Sequence, residues 1–321
     1  MPAWNIIQAV NDALKIEMRR DPRVVVLGED VGKFGGVFRA TVGLIEEFGA
    51  DRVIDTPLAE AGIIGAAIGM AMYGLRPVPE IQFSDFIFPA FDQIVNELAK
   101  LRYRSGGQYS APVVIRTPVG GGIKGGHYRS QSPEALFIHT PGLQVVCPSN
   151  PYDAKGLLLS ALRQDDPVIF MEPKRVYRAA RGDVPEGDYT VPIGKASVAR
   201  AGNGMTVLAW GAMFHEAEKA VAEFDAELID LRTLWPLDIE TIVQSVQKTG
   251  RCAIVQEAPR TGGFAAEIAA LVQERCFPHL QAPIARITGW DVPFPYTLEN
   301  DYLPLAPRIS QKLRELADYE V

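Results

Sequence analysis

The sequence predicts an α/β protein with two parallel-sheet domains, and three observations support this fold class. Short β-branched and apolar runs alternate with longer segments in which apolar residues recur every three or four positions, a pattern typical of strands alternating with helices. With 321 residues the chain is long enough for two domains. A stretch rich in Gly, Pro and Asp interrupts the alternation. We therefore predict a first domain over 1–180, a linker over 181–192 and a second domain over 193–321.

The first domain opens with an amphipathic helix over 4–20, which precedes a buried strand over 24–30. That strand ends in two acids, Glu29 and Asp30. Later apolar runs predict strands at 53–54, 78–83, 113–115, 145–147 and 168–171. Helices are predicted from Pro57 to about Tyr73, from Phe86 to Arg104 and from Pro151 to Arg163.

The second domain shows a smaller alternation of the same kind. Strands are predicted at 207–209, 228–230, 253–255 and 286–287, and helices begin near Phe214, Asp238 and Phe264. Strands joined by helical crossovers run parallel, so this half also favours a parallel sheet covered by helices.

Composition and charge exclude several classes of protein. The formal net charge of −7 argues against a nucleic-acid-binding protein, which would carry a basic stripe. The longest apolar run, 61–75, is shorter than the roughly 20 residues of a membrane span, and the N-terminus shows no apolar h-region. Cys147, Cys252 and Cys276 have no metal-binding spacing and are predicted to be core or free thiols in a reducing compartment. We expect a soluble, cytoplasmic protein without membrane association.

One carboxylate, Glu60, lies at the start of an almost wholly apolar helix. Thr56 suits the N-cap of that helix and Pro57 its first position. A glutamate there is most often a solvated partner of the helix dipole. Its apolar surroundings favour partial burial, which would raise its pKa and allow it to hold or lend a proton near neutrality. Small residues give the helix a smooth face that allows another backbone to come close: Gly62, Gly65, Ala66 and Gly69.

The glycine-rich segment 120–125 matches the GxGxxG fingerprint of dinucleotide-binding proteins but lacks its context. No helix pattern follows it, and a P-loop would need Lys where Gly126 stands. We predict a flexible loop over a pocket. The next residues, through Glu134, include several polar groups and the imidazole of His127. Taken alone, such a histidine is more often a surface or hydrogen-bonded residue than a functional one. His139 is predicted to be structural, within an apolar helix.

Motifs spread over essentially the whole chain resemble the β subunit of thiamine-diphosphate-dependent 2-oxo acid dehydrogenases, with the branched-chain type closest and the pyruvate type next. These motifs are GED at 28–30, DTPLAE at 55–60, EIQF at 80–83, YRSG at 103–106, SQSPE at 130–134, DAKGLL at 153–158 and DLRTL at 230–234. The resemblance implies a thiamine-pyrimidine-binding domain followed by a transketolase C-terminal-like domain. It also implies oxidative decarboxylation of a 2-oxo acid and transfer of the acyl group to lipoamide.

The resemblance assigns a role to Glu60, whose equivalent hydrogen-bonds the aminopyrimidine ring of thiamine diphosphate and promotes deprotonation of the thiazolium carbon. Phe86 stands where Tyr is common in branched-chain relatives. The residues implied for the pyrimidine site are Glu29, Leu58, Ala59, Glu60, Gln82 and Phe86. The residues implied to border the substrate are Phe83, Ser84, Asp85 and Phe86.

Arg129 departs from the family pattern, in which His usually precedes Ser-Gln-Ser and serves substrate binding and proton transfer. Arginine cannot act as a base, but it can hold a carboxylate through two parallel hydrogen bonds. Our hypothesis is that Arg129 anchors the carboxylate of the oxo acid or a second acidic group, while His127 or another group transfers the proton. The alternative is a flexible loop on which Arg129 points outward.

The chain lacks the Gly-Asp-Gly motif that holds the cofactor diphosphate and Mg²⁺ in this family. The resemblance therefore implies half a site, completed by an E1 α subunit in an α2β2 heterotetramer, with the second domain docking the E2 lipoyl acyltransferase. It also implies a potassium ion held largely by carbonyl groups near five residues: Val113, Ala161, Leu162, Gln164 and Asp166.

Two other functions stay open at this point. A transketolase-like or synthase subunit would use the same cofactor and would form its product without lipoamide. A subunit kept for assembly, with decayed chemistry, would form the complex without turnover, and Arg129 is the observation that favours it.

Overall fold

A computed structural model describes residues 3–320 of the chain. It contains a seven-stranded sheet and a five-stranded sheet, both mostly parallel and both covered by helices, which confirms the predicted fold class. The strands are β1 (Ala3–Asn5), β2 (Val24–Gly28), β3 (Val53–Asp55), β4 (Arg76–Glu80), β5 (Val114–Val119), β6 (Gln144–Val146), β7 (Val168–Pro173), β8 (Arg181–Asp183), β9 (Ser197–Arg200), β10 (Met205–Ala209), β11 (Ala226–Asp230), β12 (Thr233–Trp235), β13 (Cys252–Val255) and β14 (Ala285–Ile287).

The helices lie on the faces of these sheets and form most of the crossovers between parallel strands. They are α1 (Ile6–Arg20), α2 (Leu44–Phe48), α3 (Glu60–Met72), α4 (Leu101–Arg104), α5 (Glu134–Ile138), α6 (Pro151–Arg163), α7 (Gly211–Ala220), α8 (Ile239–Thr249), α9 (Phe264–Cys276), α10 (Glu299–Tyr302) and α11 (Ala306–Ala317).

The larger sheet has the order β12-β6-β7-β5-β4-β2-β3, and its central strands are buried on both faces. This explains their continuous apolar runs, because a strand covered by helices on both sides needs no polar alternation. Helix α1 packs along α6 on one face. Its start is fixed by a capping box in which Asn5 and Gln8 bond each other's backbone N–H groups.

The two halves of the chain are joined by strand pairing as well as by packing. The smaller sheet has the order β14-β13-β10-β11-β9, but β12, which follows β11 in sequence, pairs antiparallel with β6 of the larger sheet. Strand β8, from the segment predicted as a linker, pairs antiparallel with β1 at the other end of the first half. Neither pairing was predicted.

Two predicted helices are wrong in their extent. The predicted start at Pro57 is wrong because α3 begins at Glu60, three residues later. The N–H of Thr56 donates to the carbonyl of Gly28 at 2.9 Å, so the chain stays extended along β2 at that point.

The helix predicted from Phe86 to Arg104 is broken into 3₁₀ turns, a π-helical segment over Gln93–Leu98 and the short α4. Pro89 lacks an N–H group and cannot continue a helical ladder. Further on, the N–H of Ala99 donates to Ile94, five residues back. The prediction for His139 is also wrong, since it is an exposed residue directly after α5.

The three cysteines are buried and free, as predicted. Within residues 3–320 no helix combines the length and the apolar character that crossing a membrane requires.

Candidate active site

The carboxyl ends of three adjacent parallel strands bring the predicted pyrimidine-site residues to one edge of the larger sheet. Strand β2 lies between β4 and β3, with Gly28 opposite both Asp55 and Glu80. The residues that follow these strands, Glu29, Glu60 and Gln82, therefore leave the sheet side by side. This edge is where open parallel sheets bind ligands.

Glu60 is the first residue of α3 and is buried, with 8 % of its surface exposed. The N-cap residue Ala59 offers no side-chain acceptor, so the first-turn N–H groups of α3 have no side-chain cap. Glu60 is the one acidic residue in that turn. Its carboxylate lies in the positive field of the helix end, which favours an acid or an electron-rich ligand atom there.

Glu29 and Glu60, here called the carboxyl pair, are two buried acids at this edge. Burial raises the pKa of Glu29 above its ordinary value, and the negative charges of Glu60 and Asp30 raise it further. Glu29 therefore holds a proton more readily than a free glutamate does. The amide of Gln82 borders the pair, donating to Oδ2 of Asp30 at 3.2 Å and to the carbonyl of Glu29 at 3.5 Å.

Residues 57–59, just before Glu60, are exposed and form the mouth of the candidate site. Leu58, at the approach to Glu60, is 77 % exposed, which is unusual for a large apolar side chain. The hydroxyl of Thr56 is buried without a hydrogen-bond partner. An unpaired hydroxyl, an exposed leucine and an uncapped helix start beside a carboxyl pair fit an amphipathic heteroaromatic ring such as the aminopyrimidine.

A buried ion network lies behind this edge and was missed by sequence reasoning. Arg116 on β5 is 1 % exposed; it forms a bidentate pair with Glu172 (2.7 and 3.0 Å) and bonds Glu80 at 2.8 Å. The hydroxyl of Tyr177 also donates to Glu172. Burial raises the pKa of Glu80, while the charge of Arg116 opposes that rise. The signal available in the sequence was a charged residue inside each of three apolar strands.

Arg129 lies over the aromatic pair at the same edge. Its guanidinium carbon is 5.4 Å from the ring centre of Phe83 and 5.7 Å from that of Phe86, and the two rings meet edge to face at 5.4 Å. Both distances are within cation–π range. The structure thus places the cation beside the predicted substrate residues.

Ser84 and Asp85 hold the loop that carries Arg129. Oδ1 of Asp85 accepts the backbone N–H groups of Ser130 (3.2 Å) and Gln131 (3.1 Å), and the hydroxyl of Ser84 donates to the carbonyl of Gln131 at 3.0 Å. Two buried oxygens beside them, Oδ2 of Asp85 and Oγ of Ser130, have no partner. Ser84 and Asp85 thus hold the backbone directly after Arg129 and help to position its side chain.

The glycine-rich loop 120–125 is tied to the second half of the chain. Glu257 accepts the N–H of Gly121, and Oε2 of Glu299 accepts the N–H of Lys124 at 3.1 Å. Burial raises the pKa of Glu257. Burial lowers the pKa of Lys174, which lies near Glu257 and Glu299, to about 8. Sequence reasoning identified none of these three charged groups, because they converge through the tertiary fold.

His127 lies apart from the carboxyl pair. It is exposed, and its ring is tilted against that of Tyr128, with the two centroids 4.0 Å apart. It also lines a cleft of about 600 Å³ between the two halves of the chain. The structure therefore brings Arg129 to Phe83 and Phe86, whereas His127 faces the cleft.

A ligand set for Mg²⁺ is missing among the described residues. Within residues 3–320 no three His, Cys, Asp or Glu side chains converge as a metal site. The described residues of this chain therefore do not fit a Mg²⁺ ion.

Comparison with known proteins identifies the fold first. The family described as transketolase, pyrimidine binding domain, matches residues 3–180, and the family described as transketolase, C-terminal domain, matches residues 194–309. A solved structure titled split gene transketolase, inactive beta4 tetramer, superposes over the whole of both chains with a TM-score of 0.80 and 22 % identity. At that identity the likeness shows the fold alone.

Closer relatives identify the family. The 2-oxoisovalerate dehydrogenase subunit beta of Pseudomonas aeruginosa is 52 % identical, covering 98 % of this chain and 95 % of that protein. The protein of the same name from Bacillus subtilis is 50 % identical over 99 % and 100 %, and the pyruvate dehydrogenase E1 component subunit beta of Staphylococcus aureus is 48 % identical over the same shares. The chain belongs to the family of E1 β subunits of branched-chain 2-oxo acid and pyruvate dehydrogenases, a thiamine-diphosphate-dependent family. This confirms the resemblance.

Proposed function

We propose that this chain, together with an E1 α subunit, decarboxylates a branched-chain 2-oxo acid or pyruvate and passes the acyl group to lipoamide on an E2 acyltransferase. The observation that carries the proposal is the buried carboxyl pair of Glu29 and Glu60 at the open carboxyl edge of a parallel sheet. The bound thiamine diphosphate would supply the electron sink for decarboxylation.

Glu60 would bond the aminopyrimidine ring and share a proton with it. Glu29 supports this role because its raised pKa provides a second carboxyl group at this edge that can hold a proton. Gln82 would orient the ring through its amide, while Leu58, Ala59 and Phe86 would surround it and exclude water.

The other half of the site would come from the α subunit. We infer that it holds the diphosphate and Mg²⁺, which agrees with the exposed mouth around Leu58 and with the lack of a convergent metal-binding set among residues 3–320. The working assembly would then be an α2β2 heterotetramer that docks E2.

Arg129 would bind the carboxylate of the oxo acid. Arg129 is exposed, and its guanidinium lies over Phe83 and Phe86, beside the predicted substrate residues, with its hydrogen-bonding edge available. His127, the imidazole on the same loop, is our candidate for the proton transfer that Arg129 cannot perform.

The test is to co-express the chain with an α subunit and to measure decarboxylation with an artificial electron acceptor in the presence of thiamine diphosphate and Mg²⁺. The substrates are pyruvate, 2-oxoglutarate and the branched-chain oxo acids. We expect turnover that needs both chains and falls at least 100-fold in Glu60→Gln. Glu46→Gln, an exposed first-turn glutamate of α2, is the matched control. Full activity in Glu60→Gln would contradict the proposal.

Lipoamide dependence separates the alternatives. Acylation of free lipoyl domain supports an E1 component, whereas product formation without lipoamide would identify a transketolase-like or synthase subunit. A cofactor-loaded tetramer that is silent with every substrate would indicate decayed chemistry. Arg129→His, compared with His127→Gln, tests the loop: we expect Arg129→His to change substrate preference, and unchanged preference and lipoyl transfer would refute the role of Arg129.

A further inference from the structure

Arg76 begins β4, and its side chain lies at the carboxyl end of α6 with 10 % of its surface exposed. Its Nε donates to the carbonyl of Leu162 at 3.0 Å, its Nη2 to the carbonyl of Gln164, and its Nη1 to Oδ1 of Asp165 at 3.0 Å. One guanidinium thus binds two backbone carbonyls and a carboxylate at the end of one helix.

A cation is favourable at this helix end for two reasons. The last four carbonyls of an α-helix have no partner within the helix, and the helix dipole makes that end negative. Helix α6 ends at Arg163, and its C-cap residue Gln164 is extended and gives no cap from its backbone N–H. Arg76 supplies both the missing donors and the positive charge.

The same carbonyls belong to the potassium site that the family resemblance implies. Leu162 and Gln164 are two of the five residues implied for that site, and Arg76 uses both. Two more are also occupied: the carbonyl of Val113 accepts the N–H of Val168 at 3.0 Å, and Oδ1 of Asp166 accepts Nε of Arg102 at 2.6 Å. These groups do not fit a potassium ion in this chain, because oxygens of four of the five residues already accept hydrogen bonds and the Arg76 guanidinium lies among them.

We propose that the Arg76 guanidinium takes the place of the potassium ion and makes this subunit independent of monovalent cations. The guanidinium is part of a β4 side chain and hydrogen-bonds the end of α6. The link between the two elements therefore does not depend on a cation from solution. The inference goes beyond the proposed activity and does not rest on it, since its main readout is stability.

The first test is the melting temperature of the α2β2 complex in KCl, NaCl and choline chloride at equal ionic strength. Choline is too large for a carbonyl site and serves as the reference cation. We expect the wild-type melting temperatures in KCl and choline chloride to agree within 1 °C. A saturable rise with KCl would overturn the proposal.

The second test uses Arg76→Ala, with Arg314→Ala as the control. Arg314 is an arginine that pairs with Glu223 at the exposed surface, away from the residues implied for potassium. Arg76→Ala should melt several degrees lower in choline chloride and recover part of that loss in KCl, whereas Arg314→Ala should show no difference between the two salts. An Arg76→Ala protein as stable as wild type, or one that KCl does not stabilise, would overturn the equivalence of the two cations.

If Arg76→Ala does not fold, Arg76→Lys replaces it. Lysine keeps the charge but not the fork of donors, so we expect a smaller loss and a smaller response to KCl. The comparison of wild-type melting temperatures in the different salts tests the proposal independently of either variant.

Discussion

At the scale of single residues, the edge of the larger sheet separates two kinds of buried charge. Glu29 and Glu60 have no cation among the contacts described above, and burial raises the pKa of Glu29. Glu80 and Glu172 instead share one buried cation, Arg116. The first arrangement suits chemistry, and the second fixes the strands that carry it.

We predict that Arg116→Met strongly destabilises the protein, by about 3–5 kcal/mol, because it leaves Glu80 and Glu172 buried without their cation. Chemical denaturation of the purified complex would measure the loss. Arg102→Met is the control, since it removes an exposed ion pair worth about 0–1 kcal/mol. Equal losses in the two variants would show that the buried network does not hold the sheet.

Sequence reasoning predicted the burial of Glu60 because a single charge at the start of an apolar helix is a local pattern. It did not predict the partners of Arg116, since Glu80, Arg116 and Glu172 lie on β4, β5 and β7, and strand order is not a local property. The same reason hides the pairing of Glu29 with Glu60, which depends on β2 and β3 being neighbours.

At the scale of elements, the loop 120–125 is positioned from the second half of the chain. A methyl group on Gly120, whose φ is +77°, would lie 2.7 Å from the carboxylate of Glu257. Glycine is therefore required here for close approach and for its left-handed backbone. Arg129 follows this loop in the chain. The hydrogen bonds from the loop backbone to Glu257 and Glu299 therefore help to position the candidate substrate site.

We expect Glu257→Ala to loosen this loop. The buried N–H of Gly121 loses its acceptor, a change that costs about 1–3 kcal/mol. Trypsin should then cut after Lys124 and Arg129 several-fold faster, and the KM for the oxo acid should rise. Glu267→Ala, an exposed glutamate on α9, is the control. Unchanged cleavage rates would refute the positioning role.

Element boundaries were less predictable than element types. Helix α6 begins and ends at the predicted residues, Pro151 and Arg163, because proline and the N-cap Asn150 mark its start in the sequence. Helix α3 begins three residues late because a tertiary bond from Thr56 to β2 competes with a plausible local cap.

At the scale of the whole molecule, a buried acid lies where the two halves meet. Glu134 lines a small cavity with Cys147, Trp210 and Glu257. Burial raises the pKa of Glu134 from its ordinary value of 4.5 to about 8, and the charge of Glu257 adds to the rise.

The folded state therefore binds a proton at Glu134 that the unfolded state releases above pH 4.5. Its stabilising contribution is complete below about pH 4.5 and is lost as the pH rises through about 8. Each pKa unit corresponds to about 1.4 kcal/mol. We expect Glu134→Gln to flatten the fall in melting temperature between pH 5 and 8 and to raise the melting temperature at pH 8. Parallel profiles for wild type and variant would contradict this.

The open face of α3 connects the fold to the proposed assembly. Gly65 and Gly69 are exposed, and a methyl group on either would meet no atom of this chain within 4 Å. Glycine inside a helix is about 1 kcal/mol less favourable than alanine. Because packing within the chain does not require these glycines, we infer that the reason for them lies outside it, in the backbone of the α subunit that completes the site.

We predict that Gly65→Leu leaves the melting temperature of the isolated chain unchanged or higher, yet blocks formation of the α2β2 complex, because the added side chain fills the space for a second backbone. Size-exclusion chromatography with light scattering on the co-expressed chains would measure assembly. Ala270→Leu adds bulk to an exposed position of α9 and should assemble normally. Gly65→Ala should lie between the two, with higher stability and weaker assembly. A Gly65→Leu chain that still forms the tetramer would place the α subunit on another surface, and the mouth around Leu58 would then need a different cover.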